Sequence, residues 1–265
     1  MIGIFDSGVG GLTVVKEIFK QLPDYQIIYF GDTARLPYGT KGANFVKKYS
    51  AKITEWILNK KAKIIIIGCN TASAWASESL KNKFKKVPIF EMISPAIPEI
   101  ISSTKNKKIG IIGTPGTIKS ESYKKRILEK DSSLQVFSQS CPLLVPLVEE
   151  GMVNGIVVEE IVKNYITPLK EEGIDVLVLA CTHYPLLKDI IQKELGSKIK
   201  IINPAEIIAK KIKEYLGENY NLDKKIKKGK NHKFFFSDEP YNLKKISHLC
   251  FQKNINPIVK DPFNG

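Results

Sequence analysis

Two cysteines stand out by where they fall in the chain. Cys69 follows the β-branched run Ile64–Ile67, and Cys181 follows the apolar run that begins at Val176. Each sulfur is expected at the end of a strand and just before a helix. A helix N-terminus supplies unpaired N–H groups and a positive field, which lower a thiol's pKa and favour an anionic ligand. Two such thiols facing one small ligand suit one reaction class: inversion at a carbon, with the proton removed on one face and returned on the other. The two groups must be chemically alike, because the reaction runs both ways. A thiol with a pKa near about 8.5, modestly lowered, can serve as acid or base near neutral pH. The sulfurs must then stand too far apart for a disulfide, with a carbon between them. A buried cysteine at a strand end is also an ordinary small apolar residue, but the matched placement of the pair favours chemistry. Cys141, before Pro142, is a further candidate to line the site, whereas Cys250 lies in an amphipathic helix and reads as core.

Asp6 ends the first apolar run and opens the turn Asp6-Ser7-Gly8. Asp is common there for turn chemistry alone, but this one also stands where it could tune Cys69 or hold an ammonium group. His183, two residues past Cys181, reads as a site residue, a helix cap or a core histidine. Cys-x-His without further ligands at recognisable spacing gives no metal site. Gly8-x-Gly10-Gly11 is neither GxxxxGKS nor a full GxGxxG, since Thr13 breaks the pattern. Its glycines are expected to let backbone N–H groups approach a small carboxylate. Hydroxyls of Ser7, Thr71, Thr114, Thr117 and Thr182 are further candidate carboxylate donors. The acidic pair Glu149-Glu150 is not singled out by spacing.

Strands and helices alternate along the chain, the pattern of a parallel sheet covered on both faces. Strands are expected at Ile2–Phe5, Gln26–Phe30, Ile64–Ile67, Pro88–Phe90, Ile109–Ile112, Leu134–Phe137, Val176–Leu179, Lys200–Ile202 and Lys233–Phe236. Helices are expected at Leu12–Leu22, Asn44–Asn59, Ser120–Glu129, Ile156–Leu169, Leu186–Leu195, Ile207–Leu216 and Leu243–Phe251. The segments also repeat. IGIFDSGVG at Ile2 matches IGIIGTPGT at Ile109, IIIIGCNT ending at Thr71 matches VLVLACTH ending at His183, and PIFEMISPA matches KIKIINPAE. YQIIYFGD pairs in the same order with LQVFSQS. Four ordered matches at near-constant offset indicate a duplication of about 109 residues. The predicted fold is α/β: two pseudo-symmetric, doubly wound parallel-sheet domains with the active site in the cleft between them. The expected division is 1–93 plus 207–265 for a discontinuous first domain and 94–206 for the second, with crossings at the two Pro-Ala turns. Ligands in such sheets bind beyond the carboxyl ends of the strands.

The chain has 265 residues, 43% hydrophobic and 26% charged, as expected for a globular protein with a sizeable core. Its apolar runs are too short to span a bilayer. Asp6 and the lack of a basic n-region argue against a secretory leader. Four cysteines without a CxxC pair give no disulfide framework, so the expected compartment is the cytoplasm. A net charge of +14 raises the question of nucleic acid, but only Arg35 and Arg126 supply the arginine fork that reads phosphate and guanine. The dispersed lysines read as solvated surface, and specific nucleic-acid binding is not expected.

DSGVGGL (Asp6–Leu12), GDTARLPYG (Gly31–Gly39), GCNTAS (Gly68–Ser73), PLVEEG (Pro146–Gly151) and ACTHYP (Ala180–Pro185) together resemble the cofactor-independent glutamate racemases of the aspartate/glutamate racemase superfamily. The resemblance runs from residue 1 to about 210. It implies interconversion of L- and D-glutamate for peptidoglycan synthesis, with no cofactor and no metal. It also implies Cys69 and Cys181 as the acid/base pair, with Asp6, Glu149 and His183 assisting. Implied substrate contacts are Asp6-Ser7, Tyr38-Gly39, Asn70-Thr71 and Thr182-His183. Glu149 is chosen over Glu150, the match being open by one place. Ala180 stands where the family often has Gly, and the N-terminal extension tied to activator control in some members is expected to be absent. Glutamate and a second copy of the chain, in a homodimer, are the expected partners, and no membrane is. The competing readings are a racemase for aspartate or hydantoins, a basic binding protein, and a dithiol redox protein. The last requires Cys69 and Cys181 to bond readily.

Overall fold

In the computed structural model, which describes residues 1–263, the chain builds one parallel sheet, leaves it for a second, and returns. The first passage contains β1 (Ile2–Asp6), α1 (Leu12–Gln21), β2 (Ile27–Gly31), α2 (Ala43–Asn59), β3 (Ile64–Ile67), α3 (Asn70–Lys83) and β4 (Ile89–Glu91). A single 3-10 turn at Ser94–Ala96 and α4 (Ile97–Ser103) cross to the second sheet. There follow β5 (Lys108–Gly113), α5 (Pro115–Ser120), α6 (Ser122–Lys130), β6 (Gln135–Ser140), α7 (Leu144–Glu149), α8 (Ile156–Glu171), β7 (Val176–Ala180), α9 (Lys188–Leu195) and β8 (Lys200–Ile202). The return runs through α10 (Pro204–Glu218), α11 (Tyr220–Asp223), β9 (Lys233–Phe236), α12 (Leu243–Phe251) and β10 (Pro257–Val259).

The first sheet has the order β10-β9-β2-β1-β3-β4 and the second β6-β5-β7-β8. All their strand pairs are parallel. The second order reproduces β2-β1-β3-β4 with each strand replaced by its sequence repeat. The duplication is therefore visible in topology as well as in motif. β9 and β10 extend the first sheet alone.

The central strands β1, β2, β3 and β7 are buried along their whole length, so they run largely apolar on both faces rather than at alternate positions. In β3, Ile64 and Ile66 enter one core with α1, α10 and α12, while Ile65 and Ile67 enter the opposite core with α2 and α3. In β7, Leu177 and Leu179 pack towards α8 and α9, and Val176 and Val178 towards α4 and α6. All four β3 isoleucines are fully buried, and each contributes about 1.5–3 kcal/mol by leaving water. Among the described residues no helix is long and apolar enough to cross a membrane.

The structure departs from the expected elements in several places. α4, α5, α7 and the short α11 are helices that the sequence pattern did not mark. β6 starts and ends later than expected, at Gln135–Ser140. β10 is also additional; its three residues are exposed and begin with Pro257, so it lacks the buried apolar pattern that flags a strand.

Candidate active site

The carboxyl ends of β1, β3, β5 and β7 face one another across the cleft. One narrow cavity lies there. From the first unit it is lined by Ser7, Pro37, Gly39, Cys69, Asn70 and Thr71. The second unit supplies Thr114, Val145, Ala180, Cys181, Thr182 and His183. Only about 10 Å³ is free to the centre of a water-sized sphere, room for about one water. The two units are thus closed upon each other.

Cys69 is the residue at which β3 turns into α3, and its sulfur accepts from the Ala72 N–H at 3.5 Å. Its thiol also lies 3.8 Å from Ser7 Oγ. The expected lowering of its pKa is not found. Burial pushes the thiol up to about 12, and the negative charge of Asp6 adds to the rise, against the opposing bonds from Ala72 and Ser7. One helix N-terminus does not offset the desolvation of a thiolate at a fully buried site.

Cys181 sits differently. It is followed not by an α-helix but by a 3-10 turn, Tyr184–Leu187, before α9 begins. Its neighbour is His183, whose Nδ1 lies 3.7 Å from the sulfur. His183 Nε2 meets Glu149 Oε1 at 2.5 Å. Burial alone would push this imidazole down. The bonds and charges of Cys181 and Glu149 override it and hold His183 well above its ordinary value. The protonated ring can donate at both nitrogens, towards the sulfur and towards the carboxylate. Glu149, at the end of α7, is therefore the acidic residue that the structure brings to the site. Its backbone oxygen accepts from Asn242 Nδ2.

Asp6 lies behind the cavity wall. Its Oδ1 accepts from the Gly8 N–H at 2.9 Å and its Oδ2 from Thr182 Oγ1 at 3.1 Å, the latter across the cleft. Burial raises its carboxyl pKa, against the charge of His183 and these two bonds. Thr71, Thr114 and Thr117 form a triangle of hydroxyls 2.8, 3.0 and 3.1 Å apart. Thr117 stands behind the other two rather than on the wall. Tyr38 is also off the wall: it is fully buried and its hydroxyl donates to Asp32 Oδ2 at 2.6 Å. Its neighbours Pro37 and Gly39 line the cavity instead. Cys141 belongs to the second unit's core and Cys250 to the first unit's.

The glycines of the first turn serve the closure of the cleft. A Cβ on Gly10 would overlap the His183 ring and the Thr182 hydroxyl, so the missing side chain admits the imidazole. Asp32 was not singled out in the sequence. It holds Tyr38, Arg35 Nη1 at 2.7 Å and Ser237 Oγ at 2.8 Å, and so fixes the loop that carries Pro37 and Gly39. Its signals were its place just past an apolar strand and within GDTARLPYG. Of the apolar wall residues, Ala180 was marked within ACTHYP, whereas Val145 carried no signal beyond its place beside PLVEEG.

Comparison with known proteins agrees with this arrangement. The Asp/Glu/Hydantoin racemase profile matches residues 2–212. The chain belongs to that family. It is an isomerase of the racemase type. The glutamate racemase of Geobacter metallireducens is 42% identical, over 93% of this chain and 91% of its own. The crystal structure of the Bacillus anthracis glutamate racemase isoform RacE1 superposes with a TM-score of 0.90 at 36% identity, covering 99% of this chain and 97% of that one. The Francisella tularensis glutamate racemase, solved in complex with D-glutamate, gives a TM-score of 0.88 at 35% identity, over 98% and 96% of the two chains. Cys69 of the first unit and Cys181 of the second line the same cavity.

Proposed function

We propose that this racemase interconverts L- and D-glutamate by two-thiol proton transfer, with Cys69 and Cys181 on opposite faces of the substrate Cα. One observation carries the reading: two cysteines at equivalent strand ends of duplicated units line the same narrow cavity. The names of the relatives support glutamate as the substrate.

The chemistry follows from the surroundings of each sulfur. The α-hydrogen of an amino acid is far less acidic than a thiol, so the transition state needs preorganised donors and a dry site. Ser7, Asn70, Thr71, Thr114 and Thr182 supply donors, and the closed cleft excludes water. Cys69, a thiol at neutral pH, is set to deliver a proton on its face. Cys181, as the thiolate, takes the proton from the other face and becomes the thiol, while Cys69 gives up its own and is left as the thiolate; His183, paired with Glu149, holds the Cys181 sulfur through Nδ1. For the opposite enantiomer the two sulfurs exchange roles. Asp6 acts through its bond to Thr182 and its field on Cys69.

The reading extends to supply of D-glutamate for peptidoglycan, to a homodimer, and to the cytoplasm, where the four free cysteines suit a reducing medium. We divide the chain into 1–93 plus 207–265 and 94–206. The test is circular dichroism of purified protein with D- or L-glutamate and no added cofactor, with aspartate in parallel. Optical activity should decay to zero with glutamate. Cys69→Ser and Cys181→Ser should each abolish racemisation, and near-normal turnover by either would rule out the two-thiol assignment.

A further inference from the structure

Tyr123 lies outside every motif that marks the site, yet its phenol reaches a residue of the cavity wall. It sits on α6 of the second unit and is 3% exposed. Its hydroxyl donates to Asn70 Oδ1 at 2.7 Å. Asn70 belongs to the first unit, follows Cys69 and lines the cavity. A primary amide has an accepting end and a donating end of nearly the same shape, so its neighbours decide which end faces a ligand. With Oδ1 engaged by the phenol, the NH2 is the end left for the cavity. Burial and the charge of Glu91 keep the phenol protonated, hence a donor. A carboxylate ligand needs that outcome, because a flipped amide would set a carbonyl oxygen against it.

We propose that Tyr123 is a positioning residue: by holding Asn70 Oδ1 it fixes the amide with its NH2 towards the cavity, where it donates to a substrate carboxylate. The proposal rests on glutamate being the substrate. The bond joins helix α6 of the second unit to the first residue of α3 in the first. Helix α6 is docked independently of the phenol. Arg126 Nη1 lies 3.0 Å from Glu91 Oε1 at the end of β4, and Glu91 is nearly fully buried. Glu91 in turn accepts from the N–H groups of Ile93 and Ser94. The phenol therefore has a fixed base from which to reach Asn70.

The experiment is racemisation kinetics in both directions for the wild type, Tyr123→Phe, Asn70→Ala and the double variant. Tyr123→Phe should raise KM about 3- to 10-fold, the worth of one hydrogen bond, with kcat changed less than about twofold. The equilibrium constant between enantiomers is unity, so kcat/KM must fall equally in the two directions. In the Asn70→Ala background the Tyr123→Phe change should add nothing further, since the amide it orients is gone. KM does not depend on the folded fraction, so partial unfolding of the Phe variant, which keeps the buried ring in place, does not mimic the effect. Additive effects in the double variant, or a loss in kcat with KM unchanged, would overturn the proposal and leave Tyr123 a packing residue. A wild type inactive on both enantiomers would instead overturn the glutamate reading, and the proposal with it.

Discussion

The imidazole of His183 carries a raised pKa inside a closed cleft, and that has a sign. A group whose folded-state pKa is raised contributes stability that is fully present below its unfolded value, about 6.5, and is lost as pH rises through the folded value. Removing the carboxylate that raises it should flatten this dependence. Glu149→Gln is expected to cost about 1–3 kcal/mol near pH 6.5. Its Tm should then fall less steeply above that pH than the wild type's. Parallel Tm curves would show that Glu149 does not set the proton on His183. Asp6 makes the opposite prediction for the other sulfur. Its charge helps hold the Cys69 thiol up at about 12, so Asp6→Asn should let Cys69 ionise at lower pH. The check is the rate of iodoacetamide alkylation at Cys69 against pH, read by peptide mass spectrometry; an unmoved profile would remove Asp6 from that role.

Among the elements, the loop between β2 and α2 connects the site to the chain terminus. Gly39 packs so closely on Thr114 of the second unit that a Cβ would overlap that side chain. Gly39→Ala should hold the cleft partly open, raising KM and lowering kcat by about tenfold or more while the separate sheets keep their far-UV circular dichroism. Unchanged kinetics would mean that the contact is not required for closure. The same loop is fastened from behind. Arg35 Nη2 meets Asp261 Oδ2 at 2.7 Å, and its guanidinium lies over the Tyr49 ring. Both partners are largely buried, so Asp261→Ala should lower stability by about 1–3 kcal/mol, measurable as a shift in the urea midpoint. Repeats and motif ends made the paired sheets and both cysteines legible in the sequence, because a strand buried on both faces leaves a continuous apolar run. What was not legible needed three dimensions. Burial, with the field of Asp6 added to it, reversed the expected shift at Cys69. A 3-10 turn replaced the helix after Cys181. Asp32 and Tyr123 act through partners 205 and 53 residues away in the chain; Asp32 lies within a quoted motif that does not show its role, and Tyr123 lies in none.

For the molecule as a whole, the decisive number is the cavity of about 10 Å³. An amino acid is larger than this space, so substrate entry is expected to part the two units. Small-angle X-ray scattering should give a free protein larger in radius of gyration than the closed structure, contracting on addition of D-glutamate. Identical radii with and without ligand would contradict a cleft that opens. The central claim is that two different sulfurs serve the two faces, and isotope exchange addresses it most directly. Racemisation begun from one pure enantiomer in deuterated water, sampled early, separates the hydrogen removed from the hydrogen delivered. With two bases, the product enantiomer carries solvent deuterium at Cα while the remaining substrate stays protiated. Deuterium appearing in the remaining substrate as fast as in the product, or a product that retains the original hydrogen, would show a single base and contradict the assignment of Cys69 and Cys181 to opposite faces.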